Sequence, residues 1–140
     1  MSKESIKPDS SECLRSMCPV SSVLDILGDK WTILVVRDML LLGKRLYSEL
    51  ADSPENIPTN ILADRLKRLQ AARIIDKIPY QEKPLRYEYR LTQKGQDLRP
   101  LIKELADWGN KYIEGTIVPS QGFLDRPYEP GIDHDNTEPG

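Results

Sequence analysis

Residues 59–91 constrain the fold most, because a basic amphipathic helical pattern runs there directly into two strand-like segments. Leu62, Leu66 and Leu69 recur at i, i+4 and i+7, with Ile61 and Ala63 beside them, while Arg65, Lys67 and Arg68 fall mainly on the opposite side. Residues 75–80 and 86–91 are rich in β-branched and aromatic side chains, and the polar Gln81-Glu82-Lys83-Pro84 between them suits a turn. The pattern predicts a basic-faced helix followed by a β-hairpin.

The preceding residues predict three shorter units. Val20, Val23, Leu24 and Leu27 have helical spacing, and Gly28 can take the left-handed conformation that ends a helix. Asp29 can cap a second helix over residues 30–42, on which Trp31, Leu34, Val35, Met39 and Leu42 form an apolar surface wide enough for a core position. Gly43 breaks that helix. Leu46, Leu50 and Ala51 point to a short third helix over residues 47–52, and residues 53–58, with two prolines and an asparagine, read as a turn.

After the hairpin, Thr92 opens a long helix carrying Leu98, Leu101, Ile102, Leu105, Trp108, Tyr112 and Ile113 at three- and four-residue intervals. Gly95 and Pro100 weaken its first turns, so its regular part should start later. The fold class is therefore mainly α with a small β-hairpin, in the order of a winged helix-turn-helix. In that architecture the helix after the turn enters the major groove of DNA and the hairpin reaches the neighbouring backbone.

A chain of 140 residues is the size of one ordinary domain. Residues 18–118 are expected to form it, with residues 1–17 as an N-terminal arm and residues 119–140 as a flexible acidic tail. No apolar run is long enough to cross a bilayer, and residues 1–17 lack the pattern of a secretory signal, so a cytoplasmic protein is expected. The net charge of −2 conceals an uneven distribution: residues 59–94 hold nine basic against four acidic side chains, whereas residues 119–140 hold one against five. The positive stretch coincides with the predicted groove helix and wing, where phosphate binding would need it.

Within that stretch Thr59, Asn60 and Asp64 lie on the first half of the helix, where side chains are augmented by exposed backbone donors. Arg65 and Arg68 suit bidentate contacts to phosphate or guanine, Lys67 supplies a point charge, and Lys83 and Arg86 flank the wing tip. The predicted DNA-binding set is Thr59, Asn60, Asp64, Arg65, Lys67, Arg68, Lys83 and Arg86.

Four separated motifs resemble the HxlR-type winged helix-turn-helix regulators of bacteria. They are Cys18-Pro19, Gly28-x-Lys30-Trp31, the helix from Leu62 to Leu69, and Tyr89-x-Leu91-Thr92-x-x-Gly95, and the resemblance covers residues 18–113. It departs at Pro58-Thr59, where a serine often caps the groove helix; proline is tolerated there. The resemblance implies a homodimer joined by the first and last helices and bound to a roughly palindromic operator, with repression the expected outcome. Val20, Val23, Leu101, Leu105, Trp108 and Tyr112 are the interface candidates, and the last helix has the apolar surface such a role needs.

The resemblance also makes Cys18 a candidate sensor of oxidants or electrophiles, and a helix N-terminus favours the thiolate of a cysteine placed there. Cys13 lies five residues earlier, and spacing leaves its pairing open. His134 is the one histidine, so neither a metal site nor a cofactor is expected. Two alternatives are a winged-helix protein-interaction module that does not bind DNA and a small thiol oxidoreductase using Cys18. The clustered basic charge opposes the first. The second lacks a Cys-x-x-Cys motif, a Ser/His/Asp set and a phosphate-cradling loop, so the expectation is that the chain is not an enzyme. Partners are expected to be double-stranded DNA, a second copy and a small-molecule or oxidant effector, with no membrane.

Overall fold

The second helix begins where one carboxylate allows it to. The Asp29 side chain accepts the backbone N–H groups of Trp31 (2.9 Å) and Thr32 (3.0 Å) and also the Thr32 hydroxyl, satisfying donors that a helix start leaves without partners. In the computed structural model, which describes residues 15–131, the helix accordingly runs Thr32–Leu42, two residues later than predicted. The described elements are α1 (Pro19–Leu27), α2 (Thr32–Leu42), α3 (Tyr47–Ala51), α4 (Thr59–Ala71), β1 (Ile75–Glu82), β2 (Leu85–Leu91), α5 (Gln93–Gln96), α6 (Arg99–Tyr112) and a 3-10 turn at Phe123–Asp125.

Glycines end the first two helices for different reasons. Gly43 closes α2 in the left-handed conformation, φ 68°. Gly28 instead keeps a right-handed φ of −77°, contrary to the sequence expectation. Space is what demands glycine there, since a Cβ would stand 2.3 Å from the Leu24 carbonyl oxygen.

The core is built around α2, whose Val35, Val36, Met39, Leu40 and Leu41 are buried. Leu62, Leu66 and Leu69 of α4 join it, and Leu27, Leu50, Ile57, Ala72, Ile74, Ile75, Leu91 and Ile102 complete the cluster. The apolar stripe read along α4 is thus its inward face. β1 and β2 pair antiparallel from Ile75–Leu91 to Glu82–Leu85, with a bulge between Pro79 and Gln81. Gln81 and Glu82, expected in the turn, belong to the strand, which leaves a turn of two residues, Lys83 and Pro84. The break predicted near Gly95 is present: Thr92 caps the short α5, its hydroxyl accepting the Gly95 N–H, and α6 starts afresh at Arg99.

Residues 119–131 correct the expectation of a free tail. Phe123, Leu124 and Tyr128 pack against the core. The Leu91 N–H donates to the Tyr128 hydroxyl at 2.8 Å, Arg99 donates to the Leu124 carbonyl at 2.8 Å, and the Gly131 N–H donates to the Gly43 carbonyl at 2.8 Å. Three large side chains in a proline- and glycine-rich stretch thus outweigh its average polarity. Among the described residues no helix is long and apolar enough to cross a membrane.

Candidate nucleic-acid interface

The turn between α3 and α4 fixes the angle at which α4 leaves the body. Ile57 of that turn is buried, and the Tyr47 hydroxyl at the start of α3 donates to the Thr59 carbonyl at 2.8 Å. Pro58 occupies the cap position of α4 without a side-chain cap bond. The first N–H groups of α4 therefore stay available at an exposed helix end, where they favour an anion.

Thr59, Asn60, Asp64 and Lys67 are exposed along α4, and Arg68 is half-buried. Among the described residues neither Lys67 nor Arg68 has an ion-pair partner within 4 Å. Arg65 differs from both. Its Nε donates to Asp29 at 3.0 Å, its guanidinium also pairs with Asp64, and its side chain is only 16 % exposed. The structure thus places Arg65 in a bridge that locks α4 to the start of α2. Burial pushes the Asp29 carboxyl upward, but the bonds from Thr32, Trp31 and Arg65 outweigh it and bring the pKa down to about 2.

At the wing, Lys83 and Arg86 are exposed beside the turn, and Lys77 lies over the Tyr87 ring at 4.8 Å. The wing is fastened at Glu88, which is buried. Burial opposes its charge, but hydrogen bonds from Arg45 (2.8 Å) and Arg90 (3.0 Å) hold its carboxyl below the usual range. The Tyr89 N–H adds a bond to the Arg45 carbonyl at 2.7 Å. The groove helix and the base of the wing are therefore both tied to the helical body.

Sequence reading missed two positioning residues, Tyr47 and Arg45. Tyr47 left no signal, since a tyrosine at the start of a short helix has many uses. Arg45 could have been found only by asking what neutralises Glu88, 43 residues away.

The candidate interface residues lie elsewhere. Val20 and Val23 of α1 are exposed, the former 66 %, and so are Leu101, Leu105, Trp108 (62 %) and Tyr112 (61 %) along α6. The Trp108 and Tyr112 ring centroids are 5.1 Å apart. Cys18 is a free, exposed thiol at the cap position of α1. Cys13 and His134 lie outside the described residues.

A family model described as HxlR-like helix-turn-helix matches residues 26–116, which includes every element from α2 to α6. The chain belongs to that family. This HxlR-like chain is 37% identical over 94 residues to Rv3095 of Mycobacterium tuberculosis, an uncharacterised HTH-type transcriptional regulator, the match covering 67% of the chain and 58% of the relative. It thus spans less than two thirds of that relative's length. YvaP of Bacillus subtilis, also an uncharacterised HTH-type transcriptional regulator, is 34% identical over 103 residues, 73% of the chain and 94% of the relative.

Among solved structures, the reduced form of the B. subtilis transcriptional regulator YodB superposes with a TM-score of 0.59 at 28% identity, covering 73% of the chain and all of YodB. YodB has also been solved after diamide treatment and with quinone bound. Together with the three helices and hairpin, these matches establish a winged helix-turn-helix.

Proposed function

We propose that the chain is a sequence-specific double-stranded DNA-binding transcriptional regulator that acts in the cytoplasm as a homodimer on a roughly palindromic operator. The observation that carries this reading is the joint exposure of the α4 N-terminal face and the basic wing tip, held on one frame by the Arg65–Asp29 and Arg45–Glu88 bridges. Thr59, Asn60, Lys67 and Arg68 meet the groove and its flanking phosphates, Lys83 and Arg86 meet the backbone beyond, and Arg65 and Asp64 position the helix. A bound dimer of this size acts most simply by excluding polymerase from the DNA it covers, so repression is the expected sign.

Selection of bound fragments from genomic DNA, followed by titration at several salt concentrations, tests the reading. Affinity should fall steeply with salt, because each neutralised phosphate releases a counterion. No enriched sequence, or affinity insensitive to salt, would overturn it.

Cys18 supports a redox or electrophile response in the same protein. It is exposed at a helix start beside the apolar α1 face, and a relative of known structure takes up quinone and has been treated with diamide. Diamide should change operator affinity in the wild type and leave Cys18→Ser unaffected. An identical response in both would remove Cys18 from this role.

A further inference from the structure

A cleft of about 820 Å³ opens between α2, α6 and the segment that returns after α6. Its lining includes Leu34 and Leu41 of α2, Ala106 and Gly109 of α6, and Val118 and Phe123 of the returning segment. The volume lies in the range of roughly 300–1,000 Å³ that small-molecule sites occupy. Val118 and Phe123 lie past residue 116, where the family match ends.

The cleft has no spare charge. Arg37, at one end, is engaged by Asp38 and by both carboxylate oxygens of Glu55. The Asn110 amide donates to the Thr116 hydroxyl and to the Ile117 carbonyl, each at 3.0 Å. An ionic ligand would have to break these bonds to be satisfied, whereas an apolar one would cover exposed hydrocarbon at no such cost.

Gly109 sharpens the case. A glycine inside a helix is less favourable than alanine, and a Cβ at Gly109 would meet no atom within 4 Å. Within the protomer neither a left-handed backbone nor close packing accounts for it, and its missing side chain borders the cleft.

A second copy is the competing occupant. Of the exposed α6 stripe, Leu105 also lines the cleft, whereas Leu101, Trp108 and Tyr112 do not.

We propose that this cleft binds an uncharged, predominantly apolar small molecule. The proposal stands whether or not the chain binds DNA. Titrating the full-length protein with the uncharged fluorophore N-phenyl-1-naphthylamine should give saturable binding at one site per protomer. Gly109→Phe, which fills the cleft from α6, should weaken that binding at least tenfold with helicity and oligomeric state unchanged. In the wild type, amide NMR shifts caused by the probe should centre on Gly109, Asn110 and Thr116, a result that does not depend on the variant folding. Equal affinity in Gly109→Phe, or shifts centred elsewhere, would overturn the proposal. So would a variant that changes oligomeric state while keeping the probe, which would assign the cleft to a second copy.

Discussion

Asp29 serves two structural purposes through one carboxylate: it caps α2 and it anchors Arg65 of α4. Asp29→Ala should therefore lower stability in urea denaturation by about 1–2 kcal/mol, more than half of it from the lost cap. The pH dependence follows from the same bonds. Its carboxyl titrates near the ordinary 3.8 in the unfolded chain and near 2 in the folded one, so between these values the unfolded state binds more protons. The stabilisation is complete above about pH 4 and disappears as pH falls toward 2, and Asp29→Ala should flatten that part of the stability curve. Arg65 shows why a basic residue on a groove helix cannot be assigned from sequence: its partner is 36 positions away. Arg65→Ala should lower the denaturation midpoint, whereas Lys67→Ala should leave stability unchanged and weaken DNA binding. An unaltered midpoint in Arg65→Ala would return that residue to direct contact.

The helices and hairpin were readable because their causes are local. Apolar spacing in α4, the breaks at Gly43 and Gly95, and the β-branched runs of β1 and β2 each act within a few residues. Gln81 and Glu82 were misplaced since polar residues at an exposed strand end resemble turn residues. The docked segment after α6 was not readable either: its composition is that of a tail, and only the placement of Phe123, Leu124 and Tyr128 against the folded core reveals its role. Tyr128→Phe tests that docking. It removes the acceptor of the Leu91 N–H in a residue that is 5 % exposed, and should cost about 1–2 kcal/mol in equilibrium unfolding. A neutral result would mean that the Tyr128 hydroxyl does not hold the segment, leaving that role to Phe123, Leu124 and the Arg99 bond. Lys83→Ala and Arg86→Ala should each reduce the slope of log affinity against log salt by about 0.9 if that wing side chain neutralises a phosphate.

At the scale of the whole molecule, one protomer offers one groove helix and one wing, and its apolar surface is unevenly distributed. Leu101, Leu105, Trp108 and Tyr112 follow one another at four-, three- and four-residue steps along α6, and all are exposed. Such a stripe has the spacing along which two helices can interlock, and the exposed Val20, Val23 and Leu24 of α1 offer further surface of the same kind. If two copies meet there, each operator half-site is held by a separate α4, and the second engagement occurs at the high effective concentration set by the first. Leu105→Asp combined with Trp108→Asp should then give a monomer in sedimentation velocity that keeps its helical circular dichroism, because both side chains lie outside the core. Its operator affinity should fall by roughly a hundredfold, in line with the usual gain from bivalent engagement. A half-site duplex should be bound by the variant and the wild type with similar weak affinity, since α4 and the wing are untouched. Wild-type affinity for the full operator retained by a monomeric variant would show that one protomer suffices, and the apolar stripe on α6 would then need another partner.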